Sequence, residues 1–222
     1  MIKFPASTQV RKNVPKNVFY KHLEVSTAMK RIFVNDVERI SWAYKFAPST
    51  LNVIDGKTVH EITIFEVYMK LLECPTEMFV FIDKNIPRHT IFILNNGDRS
   101  CVVINYKEAC SGSNLQPFKV TKTYHTEWIK TEDVSLKLDG LSMDAIYESF
   151  VRQIAGKQIS EISGTLKEDI QISQEQEALK KEIAALKKRV AEEKQPQKKF
   201  ELHKQLKSLE QQLLSTHNEY EK

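Results

Sequence analysis

The sequence predicts an α+β protein, a mixed α/β sheet domain over residues 1–156 followed by a C-terminal antiparallel helical hairpin, or coiled-coil arm. Three observations predict it. Apolar residues alternating with period two interleave with helical runs through the first part of the chain. The dipeptide Asn96-Gly97 separates two apolar runs, the strongest local signal for a β-hairpin. Beyond residue 174 the composition turns to Glu, Lys, Gln, Leu and Ala, with apolar residues at steps of three and four.

Taken in order, Pro15 suits the first turn of a short helix through KNVFYKHL, where its missing N–H costs nothing. Ser26 caps a longer helix, in which Met29, Phe33, Val37, Ile40 and Tyr44 form one apolar stripe that Pro48 ends. After the Asp55-Gly56 turn, EITIFEVYMK reads as a strand with Phe65, Val67 and Met69 on one face and Ile62, Ile64, Glu66 and Tyr68 on the other. Apolar groups on both faces predict an interior strand. A helix through PTEMFVFIDKN buries Met78, Phe79 and Ile82, the hairpin follows, and FKVTKTYHTEW alternates as a strand covered on one side. Ser142 caps a helix through DAIYESFVRQIA, with Leu141 and Ile146 as a hydrophobic staple. The expected sheet contains 61–70, 90–95, 101–106 and 118–129. Its core includes Phe33, Val37, Ile40, Phe65, Val67, Phe79, Ile82, Phe92, Val103, Phe150 and Ile154.

Residues 157–174 lose clear periodicity and read as a connector to an arm over 175–222. Leu179, Ile183, Leu186 and Val190 form one a/d run, and Leu202, Leu206, Leu209 and Leu213 another. Pro196 lies between them and breaks a continuous helix, so the simplest structure folds the two runs against each other. The rival is one kinked helix that pairs with a second copy of the chain. In either case these eight residues are the candidate contacts for a partner.

Composition excludes several classes. Of 222 residues 41% are hydrophobic and 28% charged, which suits a packed domain rather than a disordered chain. No run of about 18 apolar residues occurs, so no membrane span is expected, and cytoplasmic residence follows. The three cysteines, Cys74, Cys101 and Cys110, have no CxxC or Cys/His spacing, and the six histidines form no HxH or HxxxH pair. That pattern predicts neither a disulfide framework nor a metal or other cofactor. There is no GxSxG, no GxxxxGK[ST] and no Gly-rich phosphate cradle.

Two sets of residues remain as candidates for chemistry. Asp55, Glu66 and Lys70 have the residue types of a metal-dependent nuclease, in which two carboxylates hold Mg²⁺ and a lysine stabilises phosphate charge. The spacing is against it, since E-x-x-x-K sets the pair about 13 Å apart along a strand and E-x-K about 7 Å. The alternative is a structural ion pair of Glu66 with Lys70 or Arg88. The second set is basic: residues 1–31 hold seven Lys/Arg and one acid, whereas the rest of the chain is nearly balanced. Arg11, Lys12, Lys16, Lys21, Lys30 and Arg31, with Arg88, are the candidate phosphate contacts for DNA.

Several stretches carry a family resemblance: KFPASTQVRKNVPKNVFY, VERISWAYKFAPSTLN, EITIFEVYMK, IDKNIPRHTIFIL, HTEW, DAIYESFVRQI and KQPQKKFELHKQLKSLEQQL. Together they resemble a bacterial family catalogued as domain of unknown function 4391, over nearly the whole chain. The resemblance implies a companion of helicases and DNA methyltransferases in restriction-like or antiphage defence gene clusters. It supplies no active site to carry over. The function expected is therefore a non-enzymatic accessory or interaction subunit of a DNA-processing assembly. The alternatives are sequence-independent nucleic-acid binding and a divergent nuclease.

Overall fold

The computed structural model describes residues 2–21, 25–110, 118–160 and 163–218. His22, residues 111–117 and the side chain of Lys21 lie outside the described residues. The chain divides into two compact units, 1–156 and 157–222. Among the described residues no helix is long and apolar enough to cross a membrane.

The first unit is built on one mixed sheet of strands β1 (Gln9–Val14), β2 (Val37–Phe46), β3 (Ile62–Met69), β4 (His89–Asn96), β5 (Arg99–Ala109) and β6 (Phe118–His125), which lie in that spatial order. The short β7 (Ile129–Lys130) pairs with β5. Among the described strands only β3 and β4 run parallel, and the chain between them forms α4 (Thr76–Lys84). The other helices are α1 (Val18–Lys21), α2 (Thr27–Asn35), the single turn α3 (Pro48–Leu51) and α5 (Met143–Ala155). Strand alternation divides the core between two faces. On one, Phe65, Val67 and Met69 of β3 and Phe92 and Leu94 of β4 pack with Phe33 of α2 and Met78, Phe79 and Ile82 of α4. On the other, Phe150 of α5 meets Phe46 and Phe4 at ring separations of 5.9 and 6.0 Å. Every residue expected in the core is buried.

Three expectations are corrected. The stripe Met29–Tyr44 is not one helix: α2 stops at Asn35 and residues 37–46 form β2. The cause is a pair of bulges, one between Val37 and Arg39 and one between Trp42 and Tyr44. Each inserts a residue into the strand. The first sets Val37 and Ile40 three residues apart on one face, and with Ala43 and with Phe46, buried on the other face, burial recurs at three-residue steps and imitates a helical stripe. The β4–β5 turn is one residue later than the Asn-Gly pair suggests, because Asn96 pairs with Arg99 and the turn residues are Gly97 and Asp98. Gly97 supplies the positive φ of 58°. Ser142 does cap α5, accepting from the Ala145 N–H at 3.3 Å. The staple beside it does not form, since Leu141 is 83% exposed. Gly140, at φ 134°, brings the backbone so close to Ile146 that a Cβ would stand 2.7 Å from its nitrogen.

The second unit contains α6 (Leu166–Glu192) and α7 (Pro196–Asn218), joined by residues 193–195. Thr165 caps α6 through the Glu168 N–H, and its hydroxyl donates to Glu168 Oε2 at 2.7 Å, so the second half of the presumed connector is already helix. Pro196 occupies the first turn of α7, where it has no intrahelical bond to lose. The helices fold back as a hairpin whose core is Ile183, Leu186 and Leu206, flanked by Leu202, Leu209 and Leu213. Val190 is buried and Leu179 half-buried. Lys187 and Glu210 bridge the helices at 2.9 Å.

Candidate functional site

Glu66, Lys70 and Asp55 are held apart by the strand that carries the first of them. Lys70 follows the last residue of β3, and its ammonium donates to the Val34 carbonyl at 2.9 Å while its backbone N–H donates to Asp36. Lys70 therefore sits where α2 presents unpaired carbonyls and the negative end of its dipole. Lys16 binds nearby, donating to the carbonyl of Val37, the first residue of β2, at 2.7 Å. Partial burial, and then the Lys70 charge, lower the Lys16 pKa. Asp55 lies at the opposite end of β3, with its Oδ1 accepting from the Gly56 N–H at 2.9 Å and lying 3.0 Å from His60 Nδ1. Eight residues of extended chain separate these ends by roughly 26 Å. The structure thus does not assemble Asp55, Glu66 and Lys70 at one point. Nor does Glu66 pair with either expected base: Arg88 binds Glu61 at 3.0 Å, and Glu66 accepts a bond from the Tyr68 hydroxyl at 3.3 Å.

Glu66 lines a cavity of about 130 Å³ on the face of the sheet opposite α4, together with Tyr68, Ile93, Asn95, Ser100 and Thr131. Its polar groups satisfy one another: Ser100 Oγ donates to Asn95 Oδ1 at 2.8 Å and lies 2.8 Å from Thr131 Oγ1. Arg39 stacks over the Tyr68 ring at 3.6 Å. Burial, then the neighbouring Glu66 charge, raise the Tyr68 pKa, so its hydroxyl stays a donor. The volume is well below the roughly 300 Å³ at which ligand pockets begin. A space of that size has room for a few waters or one small polar group.

A cluster of strongly perturbed ionisable groups lies elsewhere, where sequence reading placed none. Lys107 and Asp83 form an ion pair at 2.6 Å with both side chains at 0% exposure. The ammonium also donates to the carbonyls of Asp83 and Arg88, at 2.7 and 2.6 Å, and so closes the C-terminal end of α4. The carboxylate accepts from Thr90 Oγ1 and from Asn105 Nδ2. Burial pushes the Asp83 pKa up and the Lys107 pKa down, while the attraction between them opposes both shifts. Beside them His89 packs against the rings of Tyr147 and Phe118 at 4.4 and 4.9 Å. Burial, reinforced by the Lys107 charge, lowers its pKa to about 3. Perturbed groups often mark active sites. Here every partner is internal and the pair is closed to substrate, so the cluster is part of the scaffold. Its trace in the sequence is a lysine and an asparagine, Lys107 and Asn105, in register with the buried Cys101 and Val103 of the same strand.

Of the basic candidates, Arg11, Lys12, Lys30 and Arg31 are exposed, whereas Lys16 and Arg88 have the partners described above. Arg11 adopts φ 52° within a bulge where β1 pairs with β2.

One further group converges that the spacing of the chain did not suggest. Cys74, in the segment before α4, Cys101 on β5 and His125 at the end of β6 offer ligand atoms that all lie within 4.8 Å of one another. The Cys74 thiol, as a hydrogen-bond partner, lowers the Cys101 pKa, and the same bond pushes Cys74 up.

The sequence model of a family described as domain of unknown function 4391 matches residues 2–213, and the chain belongs to that family. No curated protein and no solved structure matches the chain.

Proposed function

We propose that this member of the family is a non-enzymatic interaction subunit of a DNA-processing assembly, and that its helical arm docks on a protein partner. The observation that carries the reading is the arm itself. Its two helices share a seam of only a few residues, while Phe200 and Leu214 on α7 remain 73% and 62% exposed. At 100° per residue these two residues point within about 40° of each other and away from Leu202, Leu206, Leu209 and Leu213. They form anchor points of the kind an amphipathic helix offers to a groove. The nuclease reading is less favoured, because Lys70 is engaged by the Val34 carbonyl and Asp55 by His60 at opposite ends of β3.

The partner expected is the helicase or methyltransferase encoded beside such a protein. Calorimetric titration of that partner with the Phe200→Glu/Leu214→Glu variant is the test. Affinity should fall at least tenfold while the melting temperature stays unchanged, because neither side chain is packed; an unchanged affinity refutes the arm as the docking element. Light scattering identifies a second copy of the chain as the occupant if the wild type is a dimer and the variant a monomer.

A second reading, sequence-independent nucleic-acid binding, is supported by the exposed cations Arg11, Lys12, Lys30 and Arg31. It predicts an affinity that falls steeply with salt, with a slope of about −0.9 per phosphate contact on duplex DNA. Fluorescence titration at low salt tests it, and absence of binding at micromolar protein rules it out. The charges on β1 also have a simpler use, since that strand is an edge of the sheet and charge there discourages pairing with other chains.

A further inference from the structure

The geometry points to a zinc site formed by Cys74, Cys101 and His125, with a fourth coordination position open to solvent. The three residues come from separate elements, which is why no spacing motif announces them, yet their ligand atoms lie within 4.8 Å of one another. A tetrahedral ion with Zn–S near 2.3 Å and Zn–N near 2.0–2.1 Å sets its ligand atoms roughly 3.5–3.8 Å apart. The ligand atoms stand at most about 1 Å further apart than that. Two thiolates and an imidazole are a donor set that favours Zn²⁺ over Mg²⁺ or Ca²⁺.

The surroundings suit the ion in three further respects. His125 Nδ1 lies 3.0 Å from the Thr126 carbonyl oxygen, a partner that holds the ring proton on Nδ1 and leaves the Nε2 lone pair free. Orientation by a backbone carbonyl is the usual second contact of a metal-bound histidine. The ligands are graded in exposure: Cys101 is fully buried, Cys74 partly so, and His125 exposed. The ion would thus be anchored from beneath and reached from the histidine side. Finally, binding displaces the thiol protons of Cys74 and Cys101 into solvent, so Zn²⁺ and two thiolates form a neutral unit at the margin of an apolar core. Such an ion would fasten the segment before α4 to β5 and to the end of β6.

The test uses the full-length protein, reduced and stripped of metal, then titrated with Zn²⁺ against a chromophoric chelator and separately with Co²⁺ as a spectroscopic probe. The expected result is one ion per chain, thiolate-to-cobalt charge-transfer absorption, affinity that weakens as pH falls, and a higher melting temperature with metal. His125→Ala and Cys74→Ser should each weaken binding at least tenfold, whereas Cys110→Ser should leave it unchanged. His125 is exposed, so its replacement leaves the fold intact and the comparison meaningful. The proposal is overturned by absence of stoichiometric binding, by a His125→Ala variant that binds as tightly as wild type, or by a Cys74–Cys101 disulfide that forms readily in the stripped protein while added Zn²⁺ protects neither thiol.

Discussion

The sheet unit and the helical arm use charge in opposite ways. In the sheet unit the Asp83–Lys107 pair lies at 0% exposure, and each member has several further bonds. Between the arm's helices the pair is Lys187–Glu210, with side chains 57% and 41% exposed. A buried pair contributes little net attraction beyond its desolvation cost, but removal of one member strands the other in a medium that cannot solvate it. An exposed pair is screened, and its loss is scarcely felt. The difference teaches where each unit is brittle: the sheet unit at one polar cluster, the arm only at its apolar seam.

The largest effect should therefore come from Lys107→Met, which leaves Asp83 unpaired and should cost about 3–5 kcal/mol in denaturant unfolding. Pairing it with Asp83→Leu should recover part of that loss. A double variant no better than the single would show that the carboxylate is not the source of the cost.

Acid should reach the same cluster through His89. The ring is neutral in the folded protein because its pKa is lowered to about 3, against 6.5 for an ordinary histidine. The stability this represents is complete above pH 6.5 and is lost as pH falls towards 3, because the unfolded chain takes up a proton that the folded one does not. His89→Gln should flatten that part of the stability profile. Asp144 acts in the same direction at lower pH. Burial opposes its charge, but the N–H groups of Lys57, Val59 and Thr58 outweigh that and hold its carboxyl below the ordinary value, so its contribution is lost only in stronger acid.

In the arm, Leu186→Ala should cost about 2 kcal/mol, the lower end for a buried leucine, since the seam is thin. Hydrogen exchange should speed up across α6 and α7 and not across β3 to β5; an equal rise in both units would refute their separate description. Lys70→Met should be the mildest change. It removes a cation from the end of α2 and should cost under about 1 kcal/mol. A larger loss would mean that Lys70 has a role the Val34 carbonyl does not explain.

What was legible in the sequence is what depends on neighbours along the chain. β3 showed in its two apolar faces, α4 and α5 in their helical stripes, and the hairpin in its heptads and Pro196, because periodicity and backbone chemistry act over a few residues. β1 was missed for the opposite reason. It is a charged edge strand with no buried residue to give it a pattern. β2 was misread because its bulges are set by pairing with β1 and β3, and pairing partners are not visible locally.

The same boundary divides the candidate residues. By itself the sequence determined that Glu66 sits on a strand of the sheet and that Lys70 stands too far along the chain to share a phosphorus with it. Only the tertiary structure decided that Lys70 closes the end of α2, that Lys107 does the same for α4, and that Cys74, Cys101 and His125 meet. A helix end exposes carbonyls to whatever the fold brings near, and a ligand set needs only proximity in space. Neither leaves a spacing in the chain to be read.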